Sequence, residues 1–281
     1  MQRSILITGC SSGIGQAAAI LLKKRGWRVF ATARKAADLE QLSALDLEAI
    51  HLDVNDSTSI QQSLASVLQK TGGTLDALFN NAGYLQAGAI EDLTRDMMRE
   101  QFETNVFGSM EMIKYVLPVM RKQGHGRIIQ NSSILGIVSI PYCGAYNASK
   151  FALEGFCNTL RLELYKSPIH VCIINPGPIV SKLREHALMH YESSLQHEQS
   201  GVYKKIYEKM EQSYFKADRK NNALELTPEA VVKKLIHALE SSRPHAHYFV
   251  GIPAKCMAML RRLLPDGILD WFMVKVRSGE E

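Results

Sequence analysis

Residues 4–15 read Ser4-Ile5-Leu6-Ile7-Thr8-Gly9-Cys10-Ser11-Ser12-Gly13-Ile14-Gly15, and this stretch decides the fold. Ile5, Leu6 and Ile7 make a short unbroken apolar run, the pattern of a strand buried on both faces. Glycines follow at once, and the spacing then turns helical through Ala19, Leu22 and Lys23. Strand, glycine turn and helix in that order suit a phosphate-bearing ligand. Glycines let the backbone turn tightly and approach a pyrophosphate, whose charge is met by free amides and the positive end of the helix. The order here is Gly-x-x-x-Gly-x-Gly (Gly9, Gly13, Gly15), distinct from the commoner Gly-x-Gly-x-x-Gly. A glycine-rich connection without a ligand would look similar, so the rest of the chain has to decide.

The same rhythm continues. Strands are expected at Ser4 to Thr8, Arg28 to Ala33, Ala49 to Val54, Ala77 to Asn80, Arg127 to Asn131, His170 to Asn175 and His247 to Val250, with helices between them. Alternating strands and helices over 281 residues, 46% of them hydrophobic, predict one α/β domain with a doubly wound parallel sheet of about seven strands and helices on both faces. Right-handed crossovers gather the strand ends, and the site, on one edge. The exception to the rhythm is Pro178 to Leu226, which is expected to be a substrate lid inserted between a core (1–177) and the closing helices and strand (227–281).

A net charge of +5 with scattered basic residues suits a phosphorylated small molecule and argues against a nucleic-acid partner. The five cysteines have no Cys-x-x-Cys pair and no regular spacing, as in a protein kept reduced. The first strand begins within five residues of Met1, leaving no space for a secretory leader, and no segment reaches 18 uninterrupted apolar residues. The expectation is a cytoplasmic protein without a spanning helix.

Tyr146-Asn147-Ala148-Ser149-Lys150 carries the chemistry. Residues four apart share one helix face, so an ammonium lies beside a phenol and favours its ionised form. An unperturbed tyrosine titrates near pKa ~10, and the cation brings proton exchange closer to neutral pH. In this order the glycine turn, Asn80-Asn81-Ala82-Gly83, Asn105, Ser133 and Tyr146 to Lys150 resemble the motifs of the short-chain dehydrogenase/reductase family, Tyr146 following Ser133 by 13 positions. The match runs from about Arg3 to Ser181, and more loosely to the strand at His247.

The resemblance implies an NADP-dependent oxidoreductase. Its cofactor contacts would be Gly9, Ser11, Ser12, Gly13, Ile14 and Gly15 at the pyrophosphate, Asn81, Ala82 and Gly83 near the adenosine half, and Tyr146 and Lys150 near the nicotinamide ribose. Pro176, Gly177, Ile179 and Ser181 would pack on the nicotinamide, Ser181 standing where many members have Thr. Arg34, with Lys35 beside it, replaces the acidic residue that an NAD enzyme of this type places at the ribose 2′-hydroxyl. A guanidinium complements a 2′-phosphate in charge and hydrogen bonding. Asp53 and Val54 resemble the adenine contacts, although Asp53 also suits a helix N-cap region. Asn105, Ser133, Tyr146 and Lys150 would be the catalytic set. Tyr146 exchanges the proton, Ser133 donates to the forming alkoxide, and Asn105 distorts its helix and holds a water that links Lys150 to solvent.

The expected pocket residues Leu135, Ile137, Tyr142, Cys143, Pro178 and Ile179 are mostly apolar, which implies a hydrophobic carbonyl or alcohol substrate. In the insertion, Tyr203, Ile206, Tyr207, Met210 and Tyr214 form a helical stripe that serves either the pocket or ordinary packing. His186 and His190 lack a third ligand and read as solvated, so no metal is expected. Residues Ala254 to Val276 mix apolar and basic side chains, and either pack on the protein or at a subunit contact, or rest on a membrane surface.

Within the family the chain looks closest to the branch of bacterial aldehyde reductases, retinol dehydrogenases and 17β-hydroxysteroid dehydrogenases, with acyl-dihydroxyacetone-phosphate reductases as relatives. A homodimer or homotetramer is expected. The competing reading is a non-catalytic NAD(P)-binding regulator, against which the intact proton-relay residues speak.

Overall fold

The apolar runs pair as one parallel sheet of seven strands: β1 (Ser4–Ile7), β2 (Arg28–Ala33), β3 (Glu48–His51), β4 (Ala77–Asn80), β5 (Gly126–Asn131), β6 (Ile169–Pro176) and β7 (His247–Val250). The order across the sheet is β3-β2-β1-β4-β5-β6-β7, in a computed structural model that describes residues 2–192, 201–211 and 224–278, the side chains of 276–278 excepted. The helices are α1 (Gly13–Lys24), α2 (Ala36–Ala44), α3 (Ser57–Thr71), α4 (Arg95–Phe102), α5 (Gly108–Gln123), α6 (Gly144–Glu163), α7 (Leu183–His190), α8 (Lys204–Lys209), α9 (Pro228–Glu240), α10 (Ile252–Leu263) and α11 (Asp266–Ser278).

Both faces of the sheet are covered, which is why its strands read as continuous apolar runs. One core layer joins Ile5, Ile7 and Val29 to Ala18, Leu22 of α1 and Val231, Leu235 of α9. The other joins Leu6, Phe30 and Leu78 to Ile60 and Leu64 of α3, Met112 and Val116 of α5, and Leu160 of α6. Successive residues of β1 thus serve opposite layers. β1 pairs with β2 on one side and β4 on the other, so the chain direction around the sheet reverses between β1 and β4. The crevice beyond their carboxyl ends is where an open α/β sheet binds its ligand.

Most expected strand ends hold to within one residue, and the end of β3 is the exception. β3 stops at His51 and not at Val54. The Leu52 amide still reaches the Ala33 carbonyl at 3.1 Å, but the Asp53 carboxylate then accepts from the Asn55 amide at 3.0 Å and turns the chain out of the sheet. Asp56, not Asp53, caps α3 by accepting from the Thr58 amide at 2.8 Å. The insertion closes on itself at its base. The Val180 amide donates to the Leu226 carbonyl at 2.9 Å and the Leu226 amide to the Pro178 carbonyl at 3.1 Å.

Candidate active site

The glycine turn fits its purpose by geometry. Gly9 has φ +69°, and a Cβ there would lie 2.8 Å from the Cα of Ala82. A Cβ on Gly15 would meet the Gly9 carbonyl oxygen at 2.2 Å and Asn81 Nδ2 at 2.6 Å, so α1 starts against the turn only because that side chain is absent. Ser12 is the N-cap of α1 but makes no side-chain capping bond, which leaves the first amides of the helix without that partner. Ser181 is brought to the mouth of this cradle, its Cβ 3.4 Å from where a Cβ on Gly13 would stand.

Asn81 braces the cradle. Its Nδ2 donates to the carbonyls of Thr8 and Gly9, both at 3.0 Å, and its Oδ1 accepts from Asn131 Nδ2 at 2.9 Å. The Thr8 hydroxyl accepts from the amides of Asn81 at 2.8 Å and Ala82 at 2.9 Å. The ends of β1, β4 and β5 are thereby tied together, a bracing role beyond the adenosine contact expected of the Asn80 to Gly83 segment. At the end of β2, Arg34 and Lys35 are exposed, and Arg34 makes no hydrogen bond or ion pair with the described residues.

Of the four residues expected to act together, Tyr146, Lys150 and Asn105 are brought into one network, and Ser133 is linked to it through Asn175 and Glu154. α6 carries Tyr146 and Lys150 on its buried face, with Lys150 Nζ 5.5 Å from the Tyr146 ring centroid and donating to the Asn131 carbonyl at 2.9 Å. Burial holds the Lys150 ammonium down to about 8, against the opposing pull of the Glu154 carboxylate. Between α4 and α5 the helix widens into a π turn at Glu103–Phe107, which contains Asn105. There the Gly108 amide bonds the Glu103 carbonyl, and such single π turns recur at functional sites. Asn105 Nδ2 donates to the Tyr84 carbonyl at 3.1 Å and to Ser149 Oγ at 3.0 Å, and its Oδ1 accepts from the Tyr84 amide at 3.0 Å. A Cβ on Gly83 would stand 3.0 Å from Asn105 Oδ1 and 3.9 Å from Lys150 Nζ, so the Gly83 backbone lies close to both groups. Ser133 follows β5, its Oγ accepting from the Leu135 amide at 3.1 Å, which leaves its proton to donate.

Several residues in this network were not anticipated. Ser149 passes the contact on from Asn105, donating to the Tyr146 carbonyl at 2.8 Å. Glu154 is buried one turn beyond Lys150, and its Oε1 accepts from Asn175 Nδ2 at 2.5 Å. The same Nδ2 lies 3.2 Å from the Ser133 carbonyl, and His247 Nδ1 lies 3.6 Å from Glu154 Oε2. Burial raises the Glu154 carboxyl above its usual range, opposed by hydrogen bonds from Ser132 and Asn175 and by the charge of Lys150. A carboxylate four positions past Lys150 on an apolar helix face was the available signal.

Tyr146 also belongs to an apolar cluster with Leu85, Met97, Cys143, Tyr191, Tyr207 and Met210. Of the expected stripe, Tyr203, Ile206, Tyr207 and Met210 join it, and Tyr214 lies outside the described residues. Tyr207 is anchored more firmly than a stripe implies, its hydroxyl donating to Asp92 Oδ2 at 2.5 Å and accepting from the Ala89 amide at 2.9 Å. Tyr142 has φ +62° and sets its ring against Tyr203, centroids 5.8 Å apart. Ile179 departs from expectation, packing with Leu226 onto the core layer of α1 and α9 and not into this cluster. His190 is also not merely solvated. Its ring stacks on Tyr84 at 4.1 Å, and burial lowers its pKa. Among the described residues no group of three or more His, Cys, Asp or Glu side chains could hold a metal ion.

Similarity to known proteins gives this constellation its class. A family model of short chain dehydrogenases matches residues 3–191. The chain is 36% identical over 270 residues to the uncharacterized oxidoreductase YbbO of Escherichia coli, covering 96% of this chain and 93% of that one. It is 33% identical to human retinol dehydrogenase 8 (95% and 87% covered) and 32% identical to human 17-beta-hydroxysteroid dehydrogenase type 1 (93% and 81%). Among solved structures, actinorhodin polyketide ketoreductase with NADPH superposes with a TM-score of 0.70 at 28% identity, covering 88% of this chain and 95% of that one. The protein belongs to the short-chain dehydrogenase family and is an oxidoreductase of that family.

Proposed function

We propose that the protein interconverts a carbonyl and an alcohol on an apolar substrate, with NADP(H) as cofactor and NADPH-driven reduction as the preferred direction. The observation that carries this reading is the buried Tyr146 and Lys150 pair, with Asn105 behind it and Ser133 close by across the Asn175 and Glu154 contacts. The cradle of Gly9, Gly13 and Gly15, with the open first turn of α1, fits a pyrophosphate, and Ser181 at the mouth of that cradle would serve the nicotinamide half. Bound there, the nicotinamide supplies or accepts the hydride. The free Arg34 guanidinium at the end of β2 supports a 2′-phosphate and so NADP over NAD.

Tyr146 gives its hydroxyl proton to the carbonyl oxygen, and the Ser133 hydroxyl donates a hydrogen bond to that oxygen as its charge grows. Lys150 lowers the cost of the phenolate and, titrating near 8, exchanges its own proton at working pH. Asn105, in the widened helix turn, sits where a water would carry the replacement proton to Lys150. The cluster of Tyr146 with Cys143, Met97, Tyr191 and Tyr207 supports an apolar substrate such as an aldehyde, retinoid or steroid, under the insertion as lid. Five free thiols support a reducing, cytoplasmic setting. Exposed Phe107 and Phe151, on the adjoining π turn and α6, support a homo-oligomer.

The test is a panel of straight-chain aldehydes, retinal and steroid ketones assayed with NADPH and NADH, beside cofactor titrations. NADPH should bind more tightly than NADH, and Arg34→Ala should erase that difference. Tyr146→Phe should lose turnover by a factor of about 10² to 10⁴ while still binding cofactor. Equal affinity for the two cofactors, or near-normal activity in Tyr146→Phe, overturns the corresponding part.

A further inference from the structure

The last two helices form a hairpin whose faces differ in chemistry. Inward, Leu269 and Met273 are buried and, with Met257, Leu260 and Phe272, pack against Val138 and Ile134 of the loop after Ser133. Outward, the apolar side chains Met259, Leu263, Ile268, Trp271 and Val274 are all more than half exposed, between 53% and 69%. Five large apolar side chains held out of the core on one short hairpin mark a contact with something other than water.

The cations say what that something is. Lys255, Met259, Arg262 and Leu263 line one shallow groove along α10 with Phe249, so charged and apolar groups alternate on a single face. On α11, Ile268, Trp271 and Lys275 follow at i, i+3 and i+7, and Lys275 Nζ lies 4.6 Å from the Trp271 ring centroid. Arg261 is neutralised by its ion pair with Asp266, which leaves exposed Lys255 and Arg262 on α10 against Asp270, two positive charges to one negative, before Lys275 is counted. A two-fold contact with a second copy would set this basic patch against itself, and the core of a protein interface is depleted of charge. An anionic lipid surface satisfies both components at once. Apolar side chains enter the boundary of headgroups and acyl chains, Trp and Lys sit at headgroup depth, and the cations meet phosphates. No helix among the described residues is long and apolar enough to cross a membrane, so the contact would be in the plane of the interface.

We propose that the α10 and α11 hairpin seats the protein on an anionic lipid surface. Because the inner face packs on the loop that follows Ser133, seating brings the site beside the bilayer, where an apolar carbonyl compound would be drawn from the membrane. That consequence rests on the substrate reading above, whereas lipid binding itself does not.

Trp271 supplies the probe, since the chain has two tryptophans and Trp27 is buried. The full-length protein, without cofactor or substrate, is mixed with vesicles of phosphatidylglycerol in phosphatidylcholine, or of phosphatidylcholine alone. A blue shift in emission and co-sedimentation with the anionic vesicles are expected, both weakened by high salt. Replacing Lys255 and Arg262 together by Gln should weaken binding roughly thirtyfold. The double variant Leu263→Ser, Trp271→Ser should lose binding by about tenfold or more at unchanged melting temperature and unchanged turnover of a water-soluble aldehyde. Trp271→Phe should still sediment with vesicles but lose the spectral shift. Failure to sediment with anionic vesicles overturns the proposal, as does a concentration-dependent blue shift without vesicles accompanied by dimer formation. If vesicles bind but no apolar carbonyl is turned over, the substrate reading fails and the lipid contact stands.

Discussion

Replacing Lys150 by Met should make the protein more stable and inactive at once. Burial holds the ammonium pKa at about 8, against an ordinary 10.5. At neutral pH the side chain is charged in both folded and unfolded chains, but the folded chain holds that proton less tightly. The difference amounts to about 3 kcal/mol of lost stability. The sign follows from proton counting. Below pH 8 the full penalty applies; between about 8 and 10.5 the folded chain sheds the proton while the unfolded chain keeps it, so stability rises with pH; above that range the penalty is gone. Met occupies similar volume without charge, but it leaves the Asn131 carbonyl without the 2.9 Å bond from Nζ, a loss of about 1 kcal/mol. The net gain for Lys150→Met is therefore about 2 kcal/mol at pH 7, and it should fall by about 2 kcal/mol, to near zero, at pH 9.5. Denaturant unfolding of both proteins without cofactor, followed by circular dichroism from pH 7 to 9.5, measures it. A variant less stable than the parent at pH 7, or a difference that ignores pH, would refute the reasoning.

Tyr207→Phe should destabilise the lid contact by about 2 to 4 kcal/mol, because it strips partners from the buried Asp92 carboxylate and the Ala89 amide. In a series of straight-chain aldehydes its kcat/KM should stop rising with chain length, and an unchanged slope would return Tyr207 to a purely structural role. Gly15→Ala should weaken cofactor binding by about tenfold or more, since its Cβ would stand 2.2 Å from the Gly9 carbonyl and push α1 off the turn; calorimetric titration reads this directly. Glu154→Gln keeps an oxygen for Asn175 but removes the negative charge that helps Lys150 hold its proton, so the limb of the pH profile of kcat/KM set by Lys150 should move to lower pH. An unmoved profile would leave Glu154 a structural clamp.

The sheet was legible because parallel strands covered on both faces must be apolar along their length, and Ile5 to Ile7 or Ala77 to Phe79 admit little else. The end of β3 was not, because Leu52 continues the apolar run while the turn is made by the Asp53 side chain, a local bond that competes with the ladder. Tyr146 and Lys150 stood out through their spacing. What surrounds them did not: the π turn at Asn105 leaves no mark on a helical pattern and was expected only through the family resemblance, and Asn81 and Glu154 owe their positions to partners 50 and 21 residues away. Stacking of His190 on Tyr84 likewise joins segments that no periodicity connects.

The paired hydrogen bonds between Pro178, Val180 and Leu226 give the insertion a neck only one bridge wide. Whatever lies beyond that neck can be lengthened, trimmed or exchanged without shifting β6 or α9, since closing a longer loop between fixed ends costs little. On the function proposed above, the residues assigned to proton transfer and those assigned to the substrate are therefore separately replaceable. On the same reading, one chassis of this form would be refitted for new substrates by changing a cassette of chain, and grafting 182–225 from a relative is the direct test of that transfer.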